Sequence, residues 1–170
     1  MKSKKGFTLI EMIVVIAIIG ILGAILVPTW SYFIMKGNVR TQNDYSKVIF
    51  NAAQTEATRM KFSERATGDN YMSNGDFYFY WDGSTGYACD EDGNTIGADA
   101  AKDEAFAKAI NRVFNSADSN VYKVYIKNYK VESVASSRYE NDKAVGSYPV
   151  SQDRRSDDYV KDFDMGDINL

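Results

Sequence analysis

Histidine is missing from this 170-residue chain, cysteine occurs once and proline twice. Without histidine the chain lacks the commonest general base and the commonest transition-metal ligand. A lone cysteine, Cys89, cannot close an intramolecular disulfide. Neither a phosphate-binding glycine loop nor a nucleophile motif stands in the sequence. These absences argue against an enzyme and leave no cofactor and no metal site to assign. The formal net charge of −3 makes the chain a poor general phosphate binder, and no specific nucleic-acid partner is expected. One further absence is local. Between Glu11 and Lys36 there is no charged residue at all.

That gap is filled by an apolar run from Gly6 to Pro28, preceded by Lys2, Lys4 and Lys5. Its length exceeds the roughly 7–15 residues of a signal-peptide core and reaches the ~20 residues that cross a bilayer as a helix. The run leads into Pro28-Thr29-Trp30-Ser31, with no small-x-small cleavage site. A plain signal anchor accounts for the lysines and the span. It gives no role to Glu11 or to the Gly6–Phe7 junction. A carboxylate at membrane depth costs about 2.5–3.5 kcal/mol on insertion scales.

Lys5-Gly6-Phe7-Thr8-Leu9-Ile10-Glu11 resembles the class III signal of type IV pilins and pseudopilins, and Met12 to Pro28 is similar to the stem of that family. The resemblance covers roughly the first thirty residues and rests on the basic leader, Gly6, Phe7, Glu11 and Pro28. It implies that a prepilin peptidase removes residues 1–6 by cutting between Gly6 and Phe7, and that the new Phe7 amine is methylated. It also implies that Glu11 faces the Phe7 amine of a neighbouring subunit. An α-amine has an ordinary pKa near 8 and is mostly cationic at neutral pH. A buried pair of opposite charges tolerates low dielectric where a lone charge does not, so such a pair sets register. The other reading of Glu11 is an interfacial charge at a helix N-terminus, stabilised by the helix dipole.

The expected fold class is α+β: a long N-terminal helix over residues 7–62, with 7–35 as hydrophobic transmembrane and assembly stem, and an antiparallel β-sheet head over 63–170. Beyond Lys36 the pattern turns amphipathic, with Tyr45, Ile49, Ala52, Ala53, Ala57 and Met60 on helical spacing. Arg40, Gln42, Asn43, Asp44, Lys47, Asn51, Gln54 and Arg59 make the opposite, polar side. Pro28 removes a backbone donor and predicts a kink. Ser63 to Asn74 reads as a loop, Asp76 to Asp82 as an aromatic strand, and Tyr87–Cys89 with Asn94–Ile96 as a hairpin about Asp90-Glu91-Asp92-Gly93. A helix is expected over Asp99–Asn115 with Asp99 as N-cap. One or two strands follow over Val121–Ser133, then a loop-like stretch from Ser136 to Gln152 with a strand near Val145–Val150. The tail from Asp153 is acidic and poor in apolar residues.

Asp90 to Asn94 departs from the EF-hand template, since Thr95 stands where glycine is needed and Ala101 where glutamate is needed. It reads as a solvated turn. The tail carboxylates Asp157, Asp158, Asp162, Asp164 and Asp167 map onto no ligand set. In the aromatic run, Phe77, Phe79 and Trp81 are expected to pack inward. Tyr78 and Tyr80 would face out or towards the sheet's partner, where they could meet a glycan or a neighbouring subunit. Many family members staple their C-terminal region with a disulfide, which Cys89 alone cannot do. Core packing or another device must hold it.

The resemblance implies a structural subunit of a type IV pilus-like filament. Its partners would be identical subunits, the prepilin peptidase, the assembly machinery and the membrane. It would start in the cytoplasmic membrane as a precursor and end in a pilus on the cell surface, with motility and adhesion as the roles that follow. The alternatives are a pseudopilin of a type II secretion or DNA-uptake system and a pilus-borne adhesin.

Overall fold

The computed structural model of the chain describes residues 7–69, 71–72, 75–96, 99–113 and 120–166. The lysine-bearing leader, Asn74, the expected helix end at Phe114–Asn115 and Asp167 lie outside the described residues. The chain divides into two units, Met1–Met35 and Lys36–Leu170. One helix, α1 (Leu9–Thr67), contributes to both.

In the first unit α1 is apolar on every side. An 18-residue window of it has a mean hydropathy of 2.9 and none of that window is buried. A helix hydrophobic all round has no core-facing stripe of its own.

In the second unit α1 shows one buried stripe: Val39, Gln42, Ser46, Ile49, Ala53, Glu56, Ala57, Met60 and Glu64. The three- and four-residue steps place them on one face. The helix runs five residues past the expected end at Phe62, so Ser63–Thr67 is helical and not loop. The polar run conceals this because Glu64 is a buried acceptor, taking the Met72 amide at 3.3 Å and the Tyr129 hydroxyl at 2.5 Å. Gly68 then ends the helix at φ +75°, its N–H bonded to the Glu64 carbonyl at 2.8 Å. That left-handed position is the usual glycine C-terminal cap.

The sheet is five-stranded and antiparallel throughout. Its strands are β1 (Asp76–Trp81), β2 (Gly86–Cys89), β3 (Val121–Lys127), β4 (Lys130–Ser137) and β5 (Gly146–Tyr148), in the order β2-β1-β3-β4-β5. Together with α1 this is the α+β architecture expected. Cys89 pairs with Thr95 across the Asp90–Asn94 turn, as the hairpin pattern predicts. The strand expected to stop near Ser133 continues to Ser137, because Ser136 and Ser137 are buried and bonded under α1 and the Tyr139 turn. Between β2 and β3 lies α2 (Ala100–Asn111), whose N-cap Asp99 accepts the Lys102 amide at 3.2 Å.

β3 is central and buried on both faces. On one side Phe77, Phe79, Tyr122, Val124, Ile126 and Val134 pack with Ile49, Ala53 and Ala57 of α1 and Phe106 and Ile110 of α2. On the other, Tyr80, Cys89, Val121, Ala135 and Val145 pack under Val160 and Met165 of the C-terminal segment. The acidic tail therefore covers a second core through two fully buried apolar residues. Tyr80 is 1% exposed and faces this cover, so it offers no outward platform. Tyr78 is half-buried and stacks on Tyr125 at 4.7 Å. Phe77 and Phe79 are buried as expected, and Trp81 is half-buried against the same cluster.

Several residues assigned to the polar side of α1 dock the sheet instead. The Asn43 carboxamide oxygen accepts the amides of Ser147 and Gln152 at 2.9 and 3.1 Å, and its nitrogen donates to the Gln152 carbonyl at 2.8 Å. Gln54 accepts the Val131 amide at 2.9 Å and donates to the Tyr129 carbonyl at 3.1 Å. Gln42 is buried against Ser136, which donates to the Gln42 carbonyl at 3.0 Å. Buried backbone groups near a sheet edge need partners. An amphipathicity pattern counts these residues as polar and so places them outside.

Candidate processing and assembly segment

The sequence-predicted site residues are Gly6, Phe7, Glu11 and Pro28. Gly6 lies outside the described residues. Phe7 precedes the helix and is 83% exposed. Glu11 sits in the first turn of α1, two residues past Leu9.

Thr8 and Glu11 form a reciprocal cap. The Thr8 amide and hydroxyl both donate to Glu11 Oε2 at 2.7 Å, and the Glu11 amide donates to Thr8 Oγ1 at 3.4 Å. This is the Thr-x-x-Glu capping box, which satisfies orphan donors that every helix N-terminus carries. The pattern is readable in the sequence at positions 8–11. Both bonds to the carboxylate fall on Oε2. Oε1 makes no hydrogen bond among the described residues and can take a further donor.

The helix continues through Pro28. Pro28 has no N–H for the carbonyl four residues back. Just past that gap Thr29 donates from its hydroxyl to the Ile25 carbonyl at 2.9 Å, and Ser31 to the Val27 carbonyl at 3.2 Å. Such back-bonds let hydroxyl side chains sit in apolar surroundings. Around them Ile10, Ile16, Ile19, Leu26, Val27, Trp30 and Phe33 are all more than half exposed. Large exposed apolar surface marks a membrane or protein contact.

The remaining candidates resolve into packing. Asp90 accepts the Asn94 amide at 2.8 Å and closes its own turn. That bond holds its carboxyl below the ordinary carboxylate value. No group of three or more acidic, cysteine or histidine side chains converges among the described residues.

A long apolar helix with a capped acidic first turn, continuing onto an antiparallel sheet, is a pilin-like arrangement. Residues 1–27 match the prokaryotic N-terminal methylation motif. Over 36 residues the chain is 58% identical to a type IV major alpha-pilin of Moraxella bovis, a stretch that is 21% of this chain and 23% of that protein. Over 39 residues it is 54% identical to a fimbrial protein of Moraxella nonliquefaciens, or 23% and 25% of the two chains. Over 40 residues it is 55% identical to a type IV major fimbrial protein FimA of Dichelobacter nodosus, or 23% and 26%. The N-terminal segment of this chain is similar to that of type IV pilins. The chain spans about a quarter of the length of the curated relatives it matches. No solved structure matches.

Proposed function

We propose that the chain is a structural subunit of a type IV pilus-like filament. The precursor rests in the cytoplasmic membrane through residues 7–35. A prepilin peptidase cuts between Gly6 and Phe7, and the Phe7 amine is methylated. The processed stem then leaves lipid for a bundle of identical stems, and the filament carries the heads to the cell surface. The chain acts through assembly and catalyses no reaction.

One observation carries this reading. Residues 7–35 expose apolar side chains on every side, and their single charged side chain is Glu11. Such a surface needs lipid or like helices. In either setting a carboxylate needs a cationic partner, which the amine at Phe7 of a neighbour supplies. The free Oε1 of Glu11 leaves room for it while Oε2 keeps the cap.

Processing is tested by Gly6→Leu. A leucine side chain blocks the site where glycine has none. Full-length precursor is expected in the membrane, with none in the sheared fraction. Chains beginning at Phe7 in that variant would contradict the cleavage step.

A further inference from the structure

The second core contains one fully buried charge that the filament reading does not use. Lys123 of β3 is 0% exposed, on the sheet face that the C-terminal segment covers. Its cross-strand neighbours are Tyr80 and Ala135. No carboxylate forms an ion pair with it among the described residues. Its ammonium donates instead to three main-chain carbonyls: Glu91 at 2.5 Å, Lys161 at 2.8 Å and Phe163 at 3.4 Å. An ammonium has three donors, and here each has an acceptor.

Those carbonyls come from two separate pieces of chain, the Asp90–Asn94 turn and the C-terminal segment. The pieces touch, since a Cβ on Gly93 would lie 2.8 Å from Lys161 Cγ. Three carbonyl dipoles aimed at one buried point repel one another unless a cation sits there. Carbonyl oxygens are the ordinary ligands of hard cations. The Tyr78 ring adds a π face 5.7 Å from the ammonium. Burial lowers the Lys123 pKa, while the nearby Asp162, Glu91 and Asp92 favour its charged form.

We propose that these carbonyls form a monovalent-cation site whose occupant is the chain's own Lys123, and that this occupant clamps residues 160–165 over the sheet. A tethered ammonium thereby does the work of a cross-link in a chain whose one cysteine has no partner. Ser133, donating to the Met165 carbonyl at 3.1 Å, also bonds this stretch to the sheet.

The test uses the full-length chain in detergent micelles. Lys123→Met keeps the bulk and removes the charge. Amides of residues 160–165 should then lose about tenfold or more of their hydrogen-exchange protection, while those of Val124 and Val134 hold. Unchanged protection at 160–165 would overturn the clamp. Lys123→Ala should regain protection with ethylammonium chloride and not with tetramethylammonium chloride, which has no N–H donor, at equal concentration. An equal response to both salts would overturn the cation site. A third measurement needs no variant to fold. In 15N-lysine-labelled wild type, Lys123 Nζ should appear at neutral pH as a protonated ammonium exchanging slowly with water. A neutral amine, or an ammonium exchanging as fast as surface lysines, would overturn the proposal.

Discussion

Glu11 has two separable jobs, and one pair of variants distinguishes them. Its carboxylate caps α1 through Thr8, with two bonds of 2.7 Å onto Oε2. Its charge, on the proposed reading, pairs with the Phe7 amine of a neighbour. Glu11→Gln keeps an acceptor for the Thr8 amide, since glutamine also completes a capping box. It removes only the charge. Glu11→Ala removes both. Losing a cap costs about 0.5–2 kcal/mol, local to the first turn. Leaving one member of a buried ion pair alone costs about 3–5 kcal/mol, equivalent to roughly two-hundredfold to five-thousandfold at each subunit contact. Glu11→Gln should therefore abolish most assembly with the helix start intact. Membrane insertion should hold or improve in both variants, because a carboxylate is costly at depth. Folding of the second unit should not change, since the buried residues of its helix begin at Val39, far from Glu11 along the chain. The assay compares sheared-fibre yield with processed chain left in the membrane. Wild-type fibre yield from Glu11→Gln, with a deficit in Glu11→Ala, would refute the register role and leave only the cap.

Other outcomes follow from the second unit. Gly146→Ala should destabilise it by about 1–3 kcal/mol or more, because a Cβ there would lie 2.1 Å from the Gln42 carbonyl carbon and 2.2 Å from the Asn43 nitrogen. A melting temperature within a degree of wild type would contradict that close approach. Asp103 is buried, and burial raises its carboxyl above the ordinary 3.8, against lowering bonds from the Tyr71 hydroxyl and the Ala88 amide. A raised folded pKa gives stability that is complete below 3.8 and is lost as pH rises through the folded value. Asp103→Asn keeps the Oδ1 acceptor and should flatten that part of the melting-against-pH curve, whereas a curve as steep as wild type's would refute the assignment. Burial pushes the Cys89 thiol up to about 12, so it should resist alkylation at neutral pH until the chain unfolds. Rapid labelling of native protein would count against its place in the second core.

The stem was legible because its signal is compositional. A charge-free span, one carboxylate and a Gly6–Phe7 junction need no tertiary knowledge. The strands around Asp76–Trp81 and Val121–Lys127 were legible for a similar reason, as aromatic and β-branched runs between turn residues. What escaped depends on partners distant in sequence. Ser63–Thr67 is helical because Glu64 meets Met72 and Tyr129. Asn43 and Gln54 face inward because the sheet presents backbone groups to them, and Gln42 because the Ser136 hydroxyl of β4 donates to it. Tyr80 is covered because Val160 and Met165, in an acidic tail, return to the sheet. The Thr8–Glu11 cap lies within four residues and follows the Thr-x-x-Glu pattern, so it is legible from the sequence alone.

The central claim is that residues 7–35 become the assembled stem of a filament after processing at Gly6. Mass and N-terminal sequence of the chain taken from sheared surface filaments test this most directly. The chain should begin at Phe7 with one added methyl group and be present as the filament's building subunit. A chain beginning at Met1, or filaments that lack this chain, would contradict it.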